Sequence, residues 1–168
     1  MCGIFGVLGN TPAVDDILEG LTRLEYRGYD SSGIAILNQK EIHSYRAEGK
    51  LKNLKTIIGE KKLKGHIGIG HTRWATHGVP SEKNAHPHIT EHVAIVHNGI
   101  IENFKSLKEV LSKKGHIFKS QTDSEVIAHL LTDFLKSGLS PEKAIKMTLP
   151  KLEGAFAIAV LFKDYDLL

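Results

Sequence analysis

Cys2 is the sole cysteine of this 168-residue chain, and it follows an initiator methionine. A lone cysteine has two readings. It is a small buried hydrophobe, or it is a nucleophile. Its position bears on the second reading, because methionine is usually removed when a small residue follows it. Removal of Met1 would leave a thiol and a free α-amine on one residue. An α-amine titrates near pH 7.7–8.0, so part of it is unprotonated at neutral pH and can take the thiol proton. Nucleophile and base then share a residue, the N-terminal-amine form of nucleophile activation.

A second candidate is His97-Asn98-Gly99, after an apolar strand pattern. Asn-Gly is a turn dipeptide. It is also a fit for an oxyanion hole: the Asn98 carboxamide and the Gly99 backbone N–H can both aim at one oxygen. Arg73, next to Trp74, has the planar fork that suits a carboxylate. Asp123 reads either as a first-turn acid favoured by the helix dipole or as a partner for an ammonium. Together Arg73 and Asp123 would clamp a free amino acid at both charged ends. Seven of the ten histidines lie between His66 and His97. None forms a compact ligand motif, and Cys2 is distant in sequence, so no metal is expected. In His86-Pro87-His88, extended geometry would point the two rings apart.

These residues need a scaffold, and the rest of the sequence supplies one. Hydrophobic residues are 41% and charged residues 24%, an ordinary globular composition. The net charge of +3 is too weak and too dispersed for nucleic-acid binding. The apolar run Ala155–Phe162 is far shorter than the roughly 20 residues of a membrane span. The N-terminus lacks the basic stretch of a signal peptide, and one cysteine makes no internal disulfide. A reduced, cytoplasmic protein without membrane or nucleic-acid partners is expected.

Strand-like runs are Ile4–Leu8, Gly33–Leu37, Ile42–Ala47, Ile67–His71, His92–His97 and Gly154–Phe162, the last read as buried. Helical spacing covers Asp15–Tyr26, Leu51–Lys61, Phe104–Lys114, the stretch after Thr122, and Pro141–Leu149. Asn38-Gln39-Lys40 reads as a hairpin turn, and Thr122 with Glu125 has capping-box spacing. From Arg73 to Ile89 there is no regular period; loops this long are often functional. Short connections favour α+β with largely antiparallel sheets.

The chain also carries, in order, Met1-Cys2-Gly3-Ile4-Phe5-Gly6, Leu24-Glu25-Tyr26-Arg27-Gly28-Tyr29-Asp30-Ser31, His71 to Gly78, Asn84 to His88, His97 to Asn103 and Thr122 to Glu125. This set resembles the glutaminase domain of the class II, N-terminal-nucleophile glutamine amidotransferases over essentially all 168 residues. The Tyr26–Ser31 and Arg73–Gly78 segments resemble the branch that passes ammonia to fructose 6-phosphate. The resemblance implies a four-layer αββα sandwich and no cofactor. It implies that Cys2 attacks the carboxamide of L-glutamine, with Asn98 and Gly99 as the oxyanion hole. It gives Arg73 the substrate α-carboxylate and Asp123 the α-amine. Trp74, Thr76 and His77 fall on a loop covering the glutamine, Arg27 on a position that orders the N-terminus, and His86 on the pocket side. The implied partner is a sugar-isomerase (synthase) domain or subunit, and a homodimer is one assembly it allows. Residues 1–168 read as a glutaminase domain that stops early, without the isomerase domains. A non-catalytic binding subunit and an amidotransferase serving another acceptor are the alternative readings.

Overall fold

The computed structural model describes residues 2–59, 61 and 63–165. The reading of Met1 processing lies outside them. Two sheets stack face to face, and every strand pairing is antiparallel. The first holds β1 (Gly3–Leu8), β2 (Ser31–Asn38), β3 (Glu41–Glu48) and β4 (Ile67–Arg73) in the order β1-β4-β2-β3. The second holds β5 (His88–Ile89), β6 (Val93–Gly99) and β7 (Phe156–Phe162), with β6 central. Helices α1 (Ala13–Leu24) and α2 (Leu51–Ile58) cover the first sheet, and their apolar side chains pack against Ile34, Ile36 and Ala47. Helices α3 (Phe104–Lys113), α4 (Glu125–Lys136) and α5 (Pro141–Thr148) cover the second. The layers are therefore α, β, β, α. No helix among the described residues is long and apolar enough to cross a membrane.

The sequence of β4 shows how one strand serves two cores. Alternation sends Ile67 and Ile69 into the seam between the sheets. Gly68 and Gly70 face α1, where a Cβ on either would come within 2.6 and 2.5 Å of Ile17. Those glycines let the helix approach. Across the seam, Ala94 and Val96 of β6 and Leu161 of β7 complete an apolar layer with Ala35 and Leu37 of β2. The other face of β6, Val93 and Ile95, packs under α4.

Several boundaries differ from the sequence reading. The hairpin turn is only Gln39-Lys40, both with positive φ (50° and 66°), because Asn38 already pairs with Glu41. The second helix ends at Ile58, before Gly59. β4 runs on through Arg73, and the irregular stretch after it contains a 3-10 turn at Glu82–Asn84 and the two residues of β5. β7 is an edge strand, and its first four residues are not fully buried. The capping box does not form. Ser124 precedes α4 without a side-chain cap. The Glu125 carboxylate instead takes the backbone N–H groups of Lys119 and Ser120, at 2.8 and 2.7 Å.

Candidate active site

The strand alternation that builds the seam also builds the site. Beyond Ile67 and Ile69, the same face of β4 carries His71 and Arg73. On β6 the face carrying Ala94 and Val96 continues to Asn98, while His97 turns to the start of α4. Gly3 pairs with Thr72, so Cys2 comes in beside the end of β4. Where the strands run out, the seam thus changes from apolar to polar.

The ten residues singled out above, Cys2, Arg27, Arg73, Trp74, Thr76, His77, His86, Asn98, Gly99 and Asp123, all line one cavity of about 590 Å³. The Cys2 Sγ accepts the Trp74 backbone N–H at 3.2 Å. Partial burial pushes the thiol above its ordinary value, and the Trp74 hydrogen bond pulls the other way. The Asn98 Nδ2 donates to the Cys2 carbonyl at 3.2 Å. Gly99 has φ 121°, and a Cβ there would run into the Ala155 carbonyl, so only glycine fits.

The two charges sit differently. Arg73 is buried, and its guanidinium donates to the carbonyls of His77, Gly78 (3.2 Å) and Val79 (3.5 Å). Asp30 stands 3.8 Å from the same guanidinium. The second Asp30 oxygen accepts the Ala75 N–H. Arg73 and Asp30 thereby hold the 74–79 loop from below. Trp74, Thr76 and His77 of that loop line the cavity, and exposed Trp74 is edge-on to Tyr29. Buried Asp123 accepts the Ile101 N–H at 2.7 Å through one oxygen.

Behind the cavity the histidines gather. His86 stacks on His71 at 4.2 Å and meets His88 at 4.6 Å. The expectation that His86 and His88 splay apart is therefore wrong: regular strand begins only at His88, and alternation does not apply before it. The His97 N–H donates to His86 Nδ1 at 3.3 Å, so neutral His86 carries its proton on Nε2 and offers it to Ser124 Oγ at 3.3 Å. Ser124 Oγ in turn reaches His97 Nδ1 at 2.7 Å. His88 Nε2 bonds Thr122 Oγ1 at 2.9 Å. Burial pushes His71 down to about 4 and His88 to about 3, and lowers His86 and His97 as well. These rings are neutral at pH 7. Among the described residues no group of three or more His, Cys, Asp or Glu is placed to hold a metal ion.

Sequence reasoning gave no role to the side chains of His71, His97, Asp30 and Ser124. All four lie inside quoted segments, but their partners are far along the chain. His71 could have been found by continuing the Ile67, Ile69 alternation one step.

Residues 71–168 match the family model described as a glutamine amidotransferase domain. The chain belongs to that family. It is 57% identical over 166 residues to the glutamine–fructose-6-phosphate aminotransferase (isomerizing) of Bradyrhizobium diazoefficiens, covering 99% of this chain and 27% of that protein. The enzyme of the same name from Bartonella henselae is also 57% identical over 166 residues, with the same coverage. Among solved structures, the glutamine phosphoribosylpyrophosphate amidotransferase from B. subtilis superposes with a TM-score of 0.82 at 29% identity, over 97% of this chain and 35% of that one. The chain spans about 27% of the length of the curated relatives it matches. This glutamine amidotransferase domain has the N-terminal-nucleophile sandwich, and it is homologous to the glutaminase part of those aminotransferases.

Proposed function

We propose that this domain hydrolyses L-glutamine to glutamate and ammonia through a γ-glutamyl thioester on Cys2. The raised thiol value means that the thiol needs a base. Loss of Met1 would supply one, the α-amine of Cys2 itself. The amine takes the thiol proton, Sγ bonds to the amide carbon, and the C=O pair moves onto oxygen. Asn98 Nδ2 and the Gly99 N–H hold that oxyanion. When the tetrahedral adduct collapses, the C–N bond breaks and the ammonium proton goes to the leaving nitrogen. Water then adds to the thioester, the C–S bond breaks, and glutamate leaves with the thiol restored. Asn98 is a donor aimed where charge develops, the arrangement that contributes most in acyl transfer.

Arg73 and Asp123 are assigned the α-carboxylate and α-ammonium of the substrate. The Arg73 guanidinium donates to three loop carbonyls, which fixes its place in the cavity lining. Trp74, Thr76 and His77 cover the substrate, Arg27 orders the segment around Cys2, and His86 backs the pocket. The ammonia is assigned to fructose 6-phosphate on a sugar-isomerase domain or subunit, following the names of the relatives. Homodimers and a cytoplasmic location belong to the same reading, since a thiol nucleophile works only while reduced.

The observation that carries this is the gathering of Cys2, Asn98, Arg73 and Asp123 on one cavity wall. The test is Cys2→Ala, with intact mass confirming that wild type has lost Met1. Ammonia release should fall to background, while calorimetry still detects glutamine binding. Hydrolysis at the wild-type rate would end the thioester mechanism.

A further inference from the structure

His71 touches no substrate atom in the mechanism above, yet it is fully buried against a group that does. Its Nε2 lies 3.1 Å from the His97 carbonyl oxygen and 2.9 Å from Asn98 Oδ1. A backbone carbonyl can only accept a hydrogen bond. Nε2 must therefore carry a proton, and Nδ1, which has no hydrogen-bond partner among the described residues, is the bare nitrogen of the neutral ring. A bonded Nε2–H accepts no donor, so the Asn98 atom beside it has to be the carboxamide oxygen. The amide nitrogen is then on the other side, where it donates to the Cys2 carbonyl at 3.2 Å. Turning the Asn98 amide over would set its oxygen against the Cys2 carbonyl and its N–H₂ against Nε2–H. Both contacts would become like against like.

We propose that His71 is a positioning residue: its Nε2–H fixes the Asn98 carboxamide with the N–H₂ group towards Cys2 and the cavity. This rests on the reading of Asn98 as an oxyanion donor. The ring is held in place by stacking on His86 at 4.2 Å with an interplanar angle of 23°. His86 is held in turn by the His97 N–H and Ser124. The charged and titratable groups acting on His71 are His97, Arg73 and His86, and none of their side chains is an acceptor competing for Nε2–H, which the Asn98 oxygen shares only with the His97 backbone carbonyl. A β4 side chain of the first sheet thus sets the orientation of a β6 side chain of the second.

The test compares His71→Leu, which removes the donor, with His71→Gln, which can restore one at similar reach. His71→Leu should lower kcat for glutamine hydrolysis about 10–100-fold, with KM changed less than about 3-fold. Binding of the γ-aldehyde analogue of glutamine, which forms a tetrahedral adduct on Cys2, should weaken by the same factor as kcat. Binding of glutamate should not. His71→Gln should recover most of the lost kcat. An unchanged kcat in His71→Leu, equal loss of glutamate binding, or no rescue by glutamine would each overturn the proposal. If the leucine variant does not fold, long-range 1H–15N spectra of the wild-type chain decide: protonated Nε2 and bare Nδ1 are expected, and the opposite tautomer refutes it. Failure of the glutaminase reading would appear separately, as absence of hydrolysis in wild type, and the tautomer measurement still judges the His71 assignment.

Discussion

The seam between the two sheets has two ends built from the same strands. At one end Ala35, Leu37, Ile67, Ile69, Ala94, Val96 and Leu161 pack as an apolar layer. At the other, the next residues along β4 and β6 are His71, Arg73 and Asn98, with His86 and His88 between them. His71, Arg73, His86 and His88 are as buried as the apolar layer, and only Asn98 is half-buried, so burial barely distinguishes the two ends. At the apolar end each enclosed Leu, Ile or Val side chain contributes about 1.5–3 kcal/mol through area removed from water. At the polar end the same enclosure costs free energy unless each polar atom finds a partner. Hence the dense bonding there: His71 to Asn98, His86 to Ser124, His88 to Thr122, and Arg73 to three carbonyls. The difference places chemistry where the strands end and leaves stability to their middles.

Acid should separate the two ends most strongly, since only the polar end titrates. Burial holds His71 at about 4 in the folded chain, against roughly 6.5 unfolded. Between those values the unfolded chain binds a proton that the folded chain refuses. Stability is therefore complete above about pH 6.5 and is lost as pH falls towards 4. For His71 alone the loss is on the order of 3 kcal/mol. His88 adds in the same direction, with Glu125, Arg46, His71 and Arg73 acting on it. Glu125 extends the loss below about pH 4.5. Its burial would raise it, but bonds from His129, Ser120 and Lys119 hold it near 2. Urea midpoints measured from pH 8 to pH 4 should fall steadily below pH 6.5. A flat profile down to pH 5 would show that the seam does not keep these rings neutral.

Much of this was legible in the sequence, and the illegible part has a common physical origin. Cys2, Arg73, Asn98 and Asp123 stand in segments with local patterns, and the fold gathers all four. The antiparallel pairing follows from the short connections between strand-like runs, whereas the stacking of two sheets came only with the family resemblance. What the pattern concealed depends on contacts across the seam. His71 meets Asn98 only because of how the two sheets stack. Asp30 meets the 74–79 loop 45 residues away. Glu125 had the spacing of a capping residue, but nearby N–H groups at 119 and 120 compete for its carboxylate and win. For His86 and His88 the sequence suggests an extended segment with the rings apart, but regular strand starts only at the second of them and the rings meet.

A substitution at the polar end should cost activity before stability. Asn98→Ala removes the proposed donor to the oxyanion and a bond to the Cys2 carbonyl. Losing such a donor lowers kcat about 10²–10³-fold, roughly 2.7–4 kcal/mol in the transition state. KM should move by no more than a few-fold, because the donor matters only once charge has developed. Steady-state kinetics on glutamine give both numbers. A change confined to KM would return Asn98 to the role of a turn residue and leave the polar end as packing alone.

The apolar end should behave in the opposite way, with a smaller effect. Ile69 is fully buried in the seam and lies two residues before His71 on the same face of β4. Ile69→Val removes one methylene without adding a polar atom or changing branching at Cβ. Such changes cost about 0.5–1.5 kcal/mol, from lost transfer free energy and the small void left behind. In a domain of this size that lowers the melting temperature by a few degrees, at about 2–4 °C per kcal/mol. The hydrogen bonds from His71 to Asn98 and from Asn98 to Cys2 involve none of the deleted atoms. Glutamine kcat/KM should accordingly remain within about twofold of wild type at a temperature where both proteins are folded. The competing view is that the seam is one continuous unit, in which a void beside His71 lets its ring shift and Asn98 lose its orientation. Calorimetry and kinetics on the same preparation separate these. A melting shift with kcat/KM intact keeps the two ends independent. A tenfold fall in kcat/KM accompanying a shift of a few degrees would mean that the packing of the apolar end sets the geometry of the polar one.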